Sequence, residues 1–504
     1  MINNSRMDSY IIIMIMLLAK FFALLRDIFI SKNYGITYIA DAYNISYIVA
    51  ITIFGFIGVA ITNSLTPVLS KIYNNEKEKI NLIISNIFTT LGLSSILITI
   101  ICLVFSDKIV LVLGGGLDTS TLNLAIDLVE ISIFSIIFLT LNSILNAILR
   151  VNNYFKTPVL GDLVLNFPCL LYLIFFSYFG VKGLTFSLVI GYIFQCLIQI
   201  PALYHIGFKY KFNLSFKEKY VLEIIKAMPP MIVSSSILQL SIIIDNKMAS
   251  YVGEGGISAL SIANKLNGLI FTVFATSLIQ ISYSQMSNVY AKTHSKKKVL
   301  SILKDNINKI SVIIVPTTVA TLLLCKEIIQ LLFMRGSFDI YAVHLSSIAL
   351  FSYTIGLIFY ILRDILNYAF FAIDMKKIPI YIGIISVSIN ILLNLILSNY
   401  FGLRGIALAT SISAIFSCVC LLIKFNKLFG QIKVINYREL FKVIVSAGCM
   451  ALTIIIYKLY FVYSTFSFIS LVIICILQYF LLLIIFRHNE IWPIINYINR
   501  RKKE

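Results

Sequence analysis

Fourteen stretches of mostly apolar residues, joined by short polar connections, constrain this chain more than any other feature. A membrane-spanning helix needs about 20 such residues. The first seven cover roughly 10–30, 41–70, 81–106, 121–149, 157–179, 183–206 and 221–249. The second seven cover roughly 257–289, 300–325, 341–371, 378–400, 404–423, 439–459 and 465–486. With 59% hydrophobic and 12% charged residues, against about 25% charged in soluble domains, the chain is an all-α polytopic membrane protein. A soluble enzyme, a disordered chain and a disulfide-stapled secreted domain are excluded. The eight cysteines form no C-x-x-C pair and read as small apolar residues.

The net charge of +19 suggests nucleic acid until the basic residues are placed. Twenty-five fall on one side of the spans, in clusters such as Lys209, Lys211, Lys217 and Lys219 or Lys296, Lys297 and Lys298. Only Lys32, Lys108, Lys182, Lys326, Arg335 and Arg404 fall on the other. Cytoplasmic loops carry the excess of Lys and Arg, so both termini are expected in the cytoplasm and no nucleic-acid partner is needed. The first stretch lacks a small-x-small cleavage site and ends in Leu25-Arg26-Asp27, so it reads as the first span rather than a signal peptide.

The chain also repeats itself. YFGVKGLTFSLVIGYIFQC (178–196) matches YFGLRGIALATSISAIFSC (400–418), LNAILRVNNYFKTPV (145–159) matches LNYAFFAIDMKKIPI (366–380), and LRDIFISKNYG (25–35) echoes IDNKMASYVG (244–253). These pairs predict two six-helix repeats, residues 1–215 and 216–430. Residues 431–504 add two further spans and a basic tail. Six is even, so the repeats are parallel, an arrangement common in secondary transporters.

Ten basic residues remain inside the spans, and Lys20, Arg26, Lys247, Lys265 and Arg363 lie deepest. A charge at mid-bilayer costs about 2.5–3.5 kcal/mol even on the lenient insertion scale, so these are expected to face a watery cavity. Lys20 and Arg26 project about 120° apart around one helix. Asp27 and Asp41 are the carboxylates expected to hold them, and Arg363-Asp364 repeats the dipeptide. The plainer alternative is charge pairs that lock helices together. The bolder one is a cationic cradle for an anionic headgroup, where the planar fork of Arg suits phosphate. A second set, Asp245, Asn390, Asn394 and Thr410, offers hard oxygen donors suited to a monovalent cation, or plain interhelical hydrogen bonds.

AKFFALLRDIFISKNYGITYIADAYNISY, TNSLTPVLSKIYN, IANKLNGLIFTVFATSLIQISYSQ, LFMRGSF and NYAFFAIDMKKIP, taken in order, resemble the MurJ (MviN) family. These are the lipid II flippases of the multidrug/oligosaccharidyl-lipid/polysaccharide exporter superfamily. The resemblance covers nearly the whole chain and implies fourteen transmembrane helices: the duplicated twelve plus two. It implies a transporter, not an enzyme. Such a protein flips an undecaprenyl-diphosphate-linked peptidoglycan precursor to the outer leaflet of the bacterial cytoplasmic membrane by alternating access.

By the same resemblance the headgroup site comprises Lys20, Arg26, Asp27, Asp41, Lys265 and Arg363, and a sodium site comprises Asp245, Asn390, Asn394 and Thr410. Spans 13 and 14 would receive the polyprenyl tail. A monomer surrounded by membrane lipids is expected, with cell-wall synthesis enzymes as candidate partners. The chain departs from the family pattern at Lys20, usually Arg; at Asn264-Lys265, usually Asp-Arg; and at Ala50 to Phe54, an apolar stretch where the family carries an Arg. A paralogue moving another polyprenyl-linked glycan (capsule, teichoic-acid-like or O-antigen-type) is the alternative. A cation-coupled drug exporter would have to admit organic cations past Lys20, Arg26 and Lys265. Gly114-Gly115-Gly116 lacks the following Lys-Ser/Thr of a phosphate loop.

Overall fold

Each of the fourteen predicted spans falls on a helical segment in the computed structural model, which describes residues 2–75, 80–215, 218–429, 436–460 and 464–492. The helices that carry the predicted spans are α1 (Ile2–Tyr34), α2 (38–75), α3 (Ile80–Val104, followed by a short helix Ser106–Gly114), α4 (Thr119–Val151), α5 (156–179), α6 (180–205) and α7 (Lys219–Ser250). They continue as α8 (256–293), α9 (Lys296–Phe333), α10 (340–372), α11 (377–401), α12 (402–429), α13 (Tyr437–Tyr460) and α14 (Thr465–Ile485). No strand occurs among the described residues. Judged by length and apolarity alone, eight helical stretches of the described residues suffice to cross a membrane, or nine when the bent pair within α10 counts as one. Lys77, Lys79, Lys217, Lys433 and the basic tail 500–503 lie outside the described residues, as does the Arg6 side chain.

The helix surfaces fit a lipid solvent. On α14 the buried positions Phe468, Leu471, Cys475, Tyr479 and Leu483 recur every three or four residues. The opposite face still exposes Ile473, Ile474, Leu477 and Leu481. A helix apolar all round is either deeply buried or lies in a membrane. In a water-soluble protein such a surface would aggregate.

Two compact units emerge, residues 1–259 with 335–342 and residues 260–334 with 343–504. The first has a core of Leu65, Leu69, Ile72, Ile84, Ile148 and Ile224, so α7 packs with α2, α3 and α4. In the second, Leu303, Ile307, Ile361, Phe370 and Phe425 centre one cluster. Val443, Met450, Ile454, Phe468 and Leu471 of α13 and α14 pack on Val312 and Leu324 of α9 in another. The sequence repeat divides the chain near residue 215, whereas the packing divides it at Ala259.

Some local geometry recurs at positions about 220 residues apart. Asn153 and Asp374, 221 residues apart, both take positive φ (64° and 59°). Each is followed by a hydrogen bond back across the helix end, Tyr154 N–H to Leu149 O at 2.8 Å and Met375 N–H to Phe370 O at 2.9 Å. These are two copies of one Schellman turn, which satisfies carbonyls that a helix end leaves unpaired. Gly180 and Gly402 likewise share positive φ (79° and 54°) at the start of α6 and α12. Both α2 and α8 contain a π-helical segment, Ile48–Ile53 and Thr272–Thr276.

The segment LFMRGSF has a steric reason for its glycine. Gly336 has φ +59°, and a Cβ there would lie 2.3 Å from the Lys32 carbonyl oxygen. That carbonyl also accepts from Ser337 N–H at 2.9 Å. Gly336→Ala is therefore expected to cost about 1–3 kcal/mol. The loss is measurable as a lower unfolding temperature of the purified chain in detergent.

Candidate functional site

Arg26 is the centre of a polar network in the first unit. Its guanidinium donates from Nε and Nη2 to Asp27 Oδ1 at 3.2 and 3.0 Å, from Nη1 to Asn166 Oδ1 at 3.0 Å and from Nη2 to Tyr47 OH at 3.0 Å. It also stacks over the Tyr47 ring, 4.9 Å from the centroid. Phe22 seats α1 against Phe167 of α5, with ring centroids 4.8 Å apart, so the neighbouring turn carries Arg26 inward. The residue is 3% exposed. This corrects the expectation that it faces water: its mid-membrane charge is paid for by protein partners instead. Asp27 serves as its counter-ion, as expected.

Asp41 does something else. Its buried carboxylate accepts from Gly255 N–H at 2.7 Å, Ser258 N–H at 2.8 Å and Ser258 Oγ–H at 2.6 Å. It caps the N-terminus of α8, where helical N–H groups lack partners and an anion is favoured. The expectation that Asp41 steadies Lys20 or Arg26 is corrected accordingly.

Lys20 is exposed and stands within the field of Asp162. Asp162 Oδ1 accepts from Gln195 Nε2 at 2.9 Å. Gln199 in turn donates to Asn142. Asp162, Gln195, Gln199 and Asn142 were not picked out from the sequence. The available signal was spacing: Asp162 with Asn166, and Gln195 with Gln199, each place two polar groups four residues apart on an otherwise apolar span.

In the second unit, Lys265 is half-buried. Arg363 repeats the Arg26 arrangement in a more open form. It pairs with Asp364 Oδ1 at 2.9 Å and lies 5.3 Å from the centre of the Tyr360 ring, with both charged side chains more than a quarter exposed. Three of the four residues expected to hold a cation are hydrogen-bonded to one another here. Asn390 Nδ2 donates to Thr410 Oγ1 at 3.2 Å, and Asn394 Nδ2 donates to Asn390 Oδ1 at 3.2 Å. Amide and hydroxyl oxygens are hard donors, a chemistry that fits a monovalent cation. Asp245, the one acid of the set, is buried in the first unit.

A cavity of about 440 Å³ opens among α9, α13 and α14, lined by residues such as Val312, Pro316, Ala320, Met450, Phe468 and Tyr479. Of its few polar groups, the Tyr479 hydroxyl donates to Val312 O and the Thr317 hydroxyl to Ile313 O, each at 2.7 Å. What remains accepts an apolar chain.

The model of the lipid II flippase MurJ family matches residues 11–477. A probable lipid II flippase MurJ from Buchnera aphidicola (Schizaphis graminum host) is 29% identical over 459 residues, 89% of this chain and 88% of that protein. The probable lipid II flippase MurJ of Thermotoga maritima is 25% identical over 435 residues, 86% of this chain and 87% of the relative. Among solved structures, a lipid II flippase MurJ in an inward closed conformation superposes with a TM-score of 0.84 at 25% identity, covering 94% of this chain and 98% of its own. An inward-facing multidrug resistance MATE transporter of the MOP superfamily shares the fold at TM-score 0.70 and 16% identity, over 84% of this chain and 98% of its own. A family model that runs over residues 11–477, with relatives and a solved fold that agree along nearly the whole chain, gives the conclusion: the chain belongs to the MurJ family of lipid II flippases.

Proposed function

We propose that this multi-span membrane protein moves lipid II, an undecaprenyl-diphosphate-linked peptidoglycan precursor, from the cytoplasmic to the outer leaflet of the bacterial cytoplasmic membrane. The family match over residues 11–477 carries this reading. The work is transport, so the side chains bind, orient and neutralise, and no covalent bond of the cargo changes. The positive-inside distribution of Lys and Arg supports cytoplasmic termini.

Lys20, Lys265 and Arg363 supply the positive charge that meets the headgroup diphosphate. Arg26, with Asp27, Asn166 and Tyr47, fixes the position of α1, while Asp41 fixes the start of α8. The polyprenyl tail lies in the apolar cavity of α9, α13 and α14, where packing against the walls rather than removal from water holds it. The two repeats, 1–215 and 216–430, alternate access, and residues 431–504 serve the tail. Asp245, Asn390, Asn394 and Thr410 would hold a sodium ion, whose inward movement adds about 2.3 kcal/mol per charge per 100 mV. The working unit is a monomer in lipid, with cell-wall synthesis enzymes as partners.

The test is rescue of a flippase-depleted bacterium. The wild-type chain is expected to restore growth and outer-leaflet exposure of the lipid II headgroup. Lys20→Glu is expected to lower exposure at least tenfold with the protein level unchanged. Failure of the correctly inserted wild-type chain to rescue would sink the lipid II assignment and favour another polyprenyl-linked glycan. Full export by Lys20→Glu would remove Lys20 from the site.

A further inference from the structure

The connection between α6 and α7 contains an extended strap, residues 208–215, bound along the first turns of α3. Phe208 is buried in the first unit's core and stacks on Phe88, ring centroids 5.8 Å apart. The Tyr210 and Thr89 hydroxyls are 2.9 Å apart, and Lys211 N–H donates to Ser85 Oγ at 3.0 Å. Asn86 clamps the far end twice, accepting from Ser215 N–H at 2.8 Å and donating to Ser215 O at 2.9 Å. A segment without secondary structure of its own is thus held rigidly. Its outer face is unusual for a connection in water: Phe212 is 74% and Tyr210 54% exposed, Leu214 is exposed, and Lys209 and Lys211 alternate with the rings.

Rings at the ends of spans settle at headgroup depth, where an apolar body and a polar tip are both satisfied. Lysines beside them meet whatever charge the headgroups carry, and anionic lipids attract such residues. We propose that the strap is a binding site for an anionic phospholipid, with Lys209 and Lys211 on the phosphate and Phe212 and Leu214 among the upper acyl carbons. The backbone clamps to Ser85 and Asn86 preorganise the site. Immobilising this strap in advance removes ordering entropy that a mobile loop would lose on binding. The proposal needs the membrane reading but neither the identity of the cargo nor the leaflet in which the strap lies.

The chain has a single tryptophan, Trp492, which makes a local reporter feasible. Trp492→Phe combined with Phe212→Trp, in the full-length chain reconstituted into phosphatidylcholine vesicles, is titrated with brominated phosphatidylglycerol or brominated phosphatidylcholine. Quenching is expected to favour the glycerol lipid by about 5–30-fold, the contribution of one to two lysines. Lys209→Gln with Lys211→Gln is expected to abolish that preference, and Lys297→Gln with Lys298→Gln to leave it intact. Leu214→Trp serves as a second reporter should the Phe212 variant not fold. Equal quenching by the two lipids, no quenching by either, or a preference that survives loss of Lys209 and Lys211 would each overturn the assignment.

Discussion

Arg26→Ala is expected to destabilise the protein by about 3–5 kcal/mol, the range for removing one partner of a buried ion pair. The loss exceeds a missing contact because the buried Asp27 carboxylate loses its counter-ion. Arg26→Lys is expected to recover only a fraction. An ammonium is a point charge, whereas the guanidinium reaches Asp27, Asn166 and Tyr47 from three nitrogens at once. Unfolding of the purified variants in detergent measures both. The double variant Arg26→Ala, Asp27→Ala should lose clearly less than the sum of the single losses, since neither charge is then stranded. Strict additivity would mean that the two residues are not coupled. Lys20→Ala, at an exposed position on the same helix, should shift stability by no more than about 0.5 kcal/mol.

Asp41→Ala comes second in expected size, at about 3 kcal/mol. It strands Gly255 N–H, Ser258 N–H and the Ser258 hydroxyl, all of which now donate to one carboxylate. An orphaned buried donor costs about 1–3 kcal/mol, and the local chain relaxes enough that the three losses do not add in full. Asp41→Asn keeps one acceptor oxygen and should lose roughly half as much. Amide hydrogen exchange offers the sharper readout. Protection of Gly255 and Ser258 should fall by more than that of the middle of α8. Unchanged exchange at these two amides in Asp41→Ala would refute the capping role.

These two residues mark where sequence reading succeeded and where it stopped. The spans were legible because hydrocarbon imposes a length and a composition that few other environments tolerate. YFG at 178–180 and at 400–402 is the same three-residue string, and Gly180 and Gly402 both take positive φ, which a side chain would resist. The cost of Arg26 could be recognised, since a buried cation is expensive anywhere. How that cost is met could not, because Tyr47 and Asn166 lie 21 and 140 residues away, and hydropathy does not encode such pairings. Asp41 was misread for the same reason, its partners being more than 200 residues downstream. Asp162 was overlooked because one carboxylate near a span end looks like ordinary interfacial polarity.

The matched π segments of α2 and α8 have a mechanical consequence. Each closes its hydrogen bonds one residue wider than an α-helix and so stores a surplus residue within the span. Relaxing that residue into regular α geometry would swivel everything beyond it by about 100° at the expense of re-pairing a few carbonyls. Such a change would turn a different stripe of side chains toward each span's neighbours without unwinding the helix.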